Sequence, residues 1–252
     1  MPRIALRSSL CLFGLALGWI SGACASEFVI SPLQVTLSRA AKSAQIEVRN
    51  DDTQPLRVQL QAMAWSQDAQ GQDRYVESDG LLYFPKAMEI PARGTRIVRL
   101  AARALPAGVE DTYRLFIAEL PRPEEARGTG AASVRVLLRV GVAVFVEPGA
   151  PKASGEIRSL ALHHGLAELS VTNSGNVHIA ADRLAIVGLD RDGAKLFEAP
   201  LHDRYFLAGT SKRLRTQIPR EHCVRLAALE AVVVGSRIDL KRRLDVSGAD
   251  CR

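Results

Sequence analysis

SVRVLLRVGVAVFV, residues 133–146, is the stretch on which the reading of this chain turns. Every even position from Val134 to Val146 is Val or Leu, while the odd positions are Ser, Arg, Leu, Arg, Gly, Ala and Phe. Side chains of an extended segment alternate between two faces, so one face here is apolar over fourteen residues, about 46 Å at the usual strand rise. An average strand has only about five or six residues. A sandwich of ordinary size covers part of such a stripe, and the remainder needs cover from elsewhere.

Shorter alternating runs precede it: FVISPLQVTL (28–37), AQIEVRN (44–50), LRVQLQAMAW (56–65), TRIVRLAA (95–102) and TYRLFIAEL (112–120), separated by the turn clusters NDDTQP, PARG and LPAGVED. Strands at this spacing indicate an antiparallel sandwich. After EPGAPKASG (147–155) the pattern restarts with EIRSLALHH, LAELSVTN, VHIAADRLAIVGL, YFLAG, KRLRTQI and LAALEAVVVG. Details repeat too. A strand ends in Asn50 in the first half and in Asn173 in the second, and Gly94-Thr95 is echoed by Gly209-Thr210. The expected fold is all-β, with two immunoglobulin-like sandwiches at 26–148 and 149–252.

The first 25 residues carry Arg3 and Arg7, an apolar run from Leu10 to Ile20 and the small residues Ala23-Cys24-Ala25. This is the pattern of a secretory signal peptide, residues 1–25, cleaved after Ala25; Cys24 keeps lipid attachment open as an alternative. The run is short for a membrane span, and 133–146 is interrupted by Arg135 and Arg139. An exported protein without stable membrane insertion is expected. Its remaining cysteines, Cys223 and Cys251, form an even pair that an oxidising compartment favours as a disulfide.

Catalytic and metal chemistry leave little trace. The five histidines, 163, 164, 178, 202 and 222, form no H-E-x-x-H and have no Cys at metal spacing. His163-His164-Gly165 reads as a hairpin turn, and DRDG (190–193) as another, because the later ligands of a calcium loop are missing. GTGAAS (128–133) lacks the Lys of a phosphate loop, and there is no GxSxG. The net charge of +6 is spread along the chain without an aromatic-interleaved basic patch. No enzyme, cofactor, metal or nucleic-acid partner is expected.

The order of these pieces resembles the periplasmic pilus and fimbrial assembly chaperones of the chaperone-usher pathway. SPLQVTL is similar to their first strand, IEVRNDDTQPLRVQLQAMAW with Asn50, Pro55 and Trp65 to their B–C region, and VRVLLRVGVAVFVEP to their G strand; YRLFIAELP is closer to the archaic and alternative branches. The resemblance implies two immunoglobulin-like domains in an L-shaped, boomerang arrangement. It implies a periplasmic chaperone that binds, folds and caps pilus subunits by lending them its G strand, and delivers them to an outer-membrane usher. The donated residues would be Val134, Val136, Leu138 and Val140. Where the best-known branch holds the subunit carboxylate with a basic pair, this chain has Gln34 and Ala143, so Arg114, and after it Arg99, are the candidate anchors. Glu147 stands where a base is usual and Asp111 where an acid is, so an Arg from the second domain is needed to bridge them. A secreted immunoglobulin-like binding module or adhesin-like protein is the alternative.

Overall fold

The computed structural model describes residues 28–121, 136–223, 225–247 and 250. The leader, Val134 and Cys251 lie outside the described residues. Two β-sandwiches with separate cores follow one another along the chain.

The first sandwich contains β1 (Phe28–Ser31), β2 (Gln34–Leu37), β3 (Ser43–Asn50), β4 (Leu56–Gln67), β5 (Asp73–Glu77), β6 (Leu81–Phe84), β7 (Ala87–Ile90), β8 (Thr95–Ala102), β9 (Asp111–Glu119) and β10 (Arg139–Val146). One sheet runs β1-β3-β8-β6; the other runs β2-β10-β9-β4-β5, with β7 also on β4. FVISPLQVTL, read as one strand, is divided between them. Pro32 has no N–H to continue a ladder, so β1 stays antiparallel to β3 while β2 crosses to lie parallel to β10.

The alternation read from the sequence is what builds the core. Val58, Leu60 and Ala62 of β4, Leu115 and Ile117 of β9, and Val142, Val144 and Val146 of β10 are buried together. Each large aliphatic side chain placed there contributes on the order of 1.5–3 kcal/mol. The long stripe is therefore split. Its ladder begins at Arg139 rather than Ser133, and residues 136–138 lead into it outside the strand.

The second sandwich contains β11 (Gly155–His163), β12 (Leu166–Asn173), β13 (Ile179–Ala180), β14 (Arg183–Leu189), β15 (Lys195–Pro200), β16 (Tyr205–Phe206), β17 (Ser211–Gln217), the short helix α1 (Arg220–Cys223), β18 (Ala228–Gly235) and β19 (Ile238–Asp245). Sheets β11-β12-β17 and β15-β14-β18-β19 enclose its core, and β13 pairs with β16. His164 and Gly165 both have positive φ, 51° and 74°, as a tight hairpin requires. In DRDG the Asp190 carboxylate accepts the amides of Asp192 and Ala194, so it closes the turn.

The internal repeat is structural, with a shift of one residue. Asn50 Nδ2 donates to the carbonyls of Gln54, Ile90 and Pro91, while its Oδ1 accepts the amide of Asp52. Asn173 Nδ2 donates to Val177 and Phe206, and its Oδ1 accepts Gly175. Their own amides reach Gly94 O and Thr210 O. The buried Asn thus ties each domain's B–C turn to the turn that resembled it. These bonds match Gly94 to Thr210, so the left-handed residue, φ 55° at Arg93 and 73° at Gly209, is the equivalent position.

Replacing Asn50 or Asn173 with Ala strands buried carbonyls and an amide, at about 1–3 kcal/mol for each group left unpaired. Each variant is expected to lower the urea midpoint by an amount corresponding to about 2–3 kcal/mol, with the loss confined to the domain carrying it.

Candidate functional site

Strand β10 is paired unequally on its two sides. Against β9 the ladder runs from Arg139 to Val146, whereas against β2 it starts only at Ala143. Among the described residues no strand pairs with 139–142 on that side, which leaves an edge of the kind that can template another strand. Just before it, Val136, Leu137 and Leu138 are 64%, 43% and 37% exposed. Leu138 is held in line by its carbonyl, which accepts the Glu119 amide at 2.9 Å. Val140 is half-buried against the core of its own domain. Of the expected donor residues, Val136 and Leu138 stand in solvent, Val140 is shared, and Val134 lies outside the described residues.

The odd positions of β10 face the other way. Gln34, Ala143, Arg114 and Met63 are successive neighbours across β2, β10, β9 and β4. Ala143, at one of the two positions where a base is usual, is fully buried in a cluster with Trp65, Phe145, Leu207 and Tyr205, which leaves no space for a longer side chain. Tyr205 comes from the second domain and donates its hydroxyl to Gln34 Oε1 at 3.0 Å. Both positions of the usual basic pair are thus occupied by one interdomain contact.

Arg114 supplies a guanidinium beside them. Its Cζ lies 4.0 Å from the Trp65 ring centroid and 5.3 Å from that of Tyr205, a stacked placement suited to Arg. Its Nη1 donates to the Gly141 carbonyl at 3.4 Å. Among the described residues it has no carboxylate partner. Nearby, Tyr75 donates to Asp73 Oδ2 at 3.0 Å, and burial, reinforced by that carboxylate, pushes its phenol pKa up. Arg99 lies elsewhere, exposed on β8 between Gln45 and Phe84 of the opposite sheet.

Residues 27–152, half of the chain, match the family described as pili and flagellar-assembly chaperone, PapD N-terminal domain. The chain belongs to this chaperone family. Its fold is shared with solved structures of low identity. One is the CsuC-CsuE chaperone-tip adhesion subunit pre-assembly complex from archaic chaperone-usher Csu pili of Acinetobacter baumannii, at 18% identity and TM-score 0.51, covering 75% of this chain and 89% of that one. The Salmonella enterica complex of SafA pilin with the SafB chaperone gives 13% and 0.58, covering 88% and 99%. The Pseudomonas aeruginosa CupB2 chaperone gives 13% and 0.52, covering 87% and 100%. No curated protein matches the chain by sequence.

The chaperone's two domains meet through a dense polar junction around the far end of β10. Phe145 stacks on His178, ring centroids 3.4 Å apart and planes 10° from parallel. The buried Glu110 carboxylate accepts both the His178 amide, at 2.8 Å, and Nδ1–H, at 2.9 Å. Gln67 bridges in both directions, accepting from the Leu207 amide and Thr210 Oγ1 and donating to the Tyr205 carbonyl. At Gly71 (φ 77°) a Cβ would lie 2.6 Å from Lys212 Cγ, so the β4–β5 turn packs flush against the second domain only as glycine.

The Arg required of the second domain is Arg237, whose Nη2 lies 2.6 Å from Glu147 Oε1. That oxygen receives no aligned hydrogen bond, so the contact is a charge pair. Asp111 is not drawn into it; Glu110, one residue earlier, makes the buried junction contact instead. Glu110 and Gln67 carried no sequence signal, since their partners are set by domain docking rather than by spacing.

Glu110→Ala leaves two buried donors of His178 without an acceptor, so the two domains are expected to uncouple, with a loss of about 2–4 kcal/mol seen by calorimetry. Arg237→Ala leaves the buried Glu147 carboxylate without its counter-charge and is expected to cost about 1–3 kcal/mol.

Proposed function

We propose that this chaperone caps an incomplete immunoglobulin-like pilus subunit by adding the 134–140 segment to it as a strand, and hands the subunit to an outer-membrane usher. The observation that carries the reading is the division of one apolar stripe: Val142 to Val146 are consumed by the chaperone's own core, while Val136 and Leu138 continue the same alternation in solvent beside an open strand edge. Strand addition uses both features, because main-chain pairing supplies registration and alternate side chains fill the acceptor's pockets. Val134 and Val140 complete the donated set.

At the other end of the edge, Arg114 takes the subunit's terminal carboxylate. A stacked guanidinium without an acid partner among the described residues offers parallel donors to such a group. Arg99, on the opposite sheet, is outside the reach of this site. The leader at 1–25 directs export to the periplasm, and the mature domains span 26–148 and 149–252. Cys223, the buried last residue of α1, is disulfide-bonded, and Cys251 is the partner this reading assigns to it.

Co-expression with the pilus subunit of the same system tests the reading. Val136→Asp and Leu138→Asp, which place a charge where an apolar pocket is expected, should each reduce recovered complex at least tenfold while leaving the chaperone's thermal midpoint unchanged. Arg114→Ala should weaken the complex by about 10–100-fold. Full recovery of complex with Val136→Asp and Leu138→Asp combined would exclude strand donation.

A further inference from the structure

Arg114 is placed by aromatic rings more than by hydrogen bonds. Its Nη1 donates to the Gly141 carbonyl at 3.4 Å, a length that directs it weakly. The flat contact is with Trp65, whose ring centroid lies 4.0 Å from Cζ, and a guanidinium stacked on an indole takes its plane from the ring beneath it. Trp65 is 3% exposed, and its own N–H is buried with no acceptor among the described residues. No hydrogen bond there sets the angle of the indole, so its neighbouring rings must.

Phe145 lies 5.9 Å from Trp65 with planes at 45°, and Tyr205 lies 5.5 Å away at 89°, an edge-to-face contact of the kind aromatic pairs prefer. Phe145 belongs to the same sheet as Trp65, whereas Tyr205 belongs to β16 of the second domain. The Tyr205 ring also comes within 5.3 Å of Arg114 Cζ. Tyr205 is itself held across the junction: its hydroxyl donates to Gln34 Oε1 at 3.0 Å, and its carbonyl accepts Gln67 Nε2 at 3.0 Å. A continuous path of contacts therefore runs from the second domain through Tyr205 and Trp65 to Arg114.

We propose that Tyr205 is a positioning residue: it sets the plane of Trp65 and with it the guanidinium of Arg114, so the anchor is complete only while the second domain is docked. The inference rests on the reading of Arg114 as the anchor of the subunit's carboxylate and adds the second domain to that site. Coupling of this kind is reciprocal, so a subunit bound through its carboxylate also resists separation of the two domains.

The test is a double-mutant cycle on the mature chaperone, with the pilus subunit of the same system as probe. Tyr205→Leu, which fills the space but removes the ring, is expected to weaken the complex about fivefold to tenfold. In the free chaperone it should move the emission of Trp65 to longer wavelength; the other tryptophan, Trp19, lies in the leader. Tyr205→Phe, which keeps the ring and loses the bond to Gln34, should restore the emission and most of the affinity. In an Arg114→Ala background Tyr205→Leu should have no further effect, because the group it positions is gone. Should Tyr205→Leu fold poorly, as a lowered thermal midpoint would show, the same cycle with Tyr205→Met decides. An equal loss with and without Arg114, or unaltered binding by Tyr205→Leu while Arg114→Ala weakens the complex, overturns the inference and leaves the anchor standing. Unaltered binding by Arg114→Ala removes the reading beneath it as well.

Discussion

Period-two alternation is the constraint on which the rest of this structure depends, because β10 has to satisfy different environments on its two faces and along its length. Even positions from 142 to 146 close the core of the first sandwich, and odd positions 143 and 145 are the floor of the domain junction. A slip of one residue would exchange these sets, placing Phe145 in a core built for valine and valines against His178 and Tyr205. The strand is thereby pinned at its C-terminal half. That anchoring allows its N-terminal half to present an open edge without loss of register, since the pairing with β9 continues to Arg139.

The domain junction depends on the same strand. Phe145 stacks on His178, whose amide and Nδ1–H are both taken by Glu110, and Tyr205 lies over Ala143 while reaching Gln34. Interfaces between domains of one chain are often loose. Here buried hydrogen bonds on both sides of β10 fix the second domain against the sheet that carries Arg114. The carboxylate anchor proposed at Arg114 needs that rigidity, because a bidentate pair is sensitive to position and angle.

Much of this was legible in the sequence because it follows from local rules. Alternation located the strands, Asn and Gly located the turns, and the overlong stripe located β10. The length of β10 was not legible: the apolar residues 136–138 continue the alternation although they lie outside the ladder, and alternation does not distinguish a residue that pairs with its own sheet from one that does not. FVISPLQVTL was likewise one run by pattern, and only the missing N–H of Pro32 hints that it serves two sheets. The repeat was found but misaligned by one residue. Gly94 matched Gly209 by identity, while the backbone puts the left-handed conformation at Arg93, a residue type that rarely adopts it.

What stayed illegible shares a physical cause. Arg237 and Glu147 are ninety positions apart, and no spacing, motif or propensity connects them; only the docking of two folded domains does. The same holds for Tyr205, which packs from the second domain against the cluster of Trp65, Ala143 and Phe145. A Lys at 143 would have to displace an aromatic ring and bury its ammonium between Trp65 and Phe145, where desolvation of the charge is costly. Arg114, stacked on Trp65 and Tyr205 and bonded to the Gly141 carbonyl, is held by that same junction.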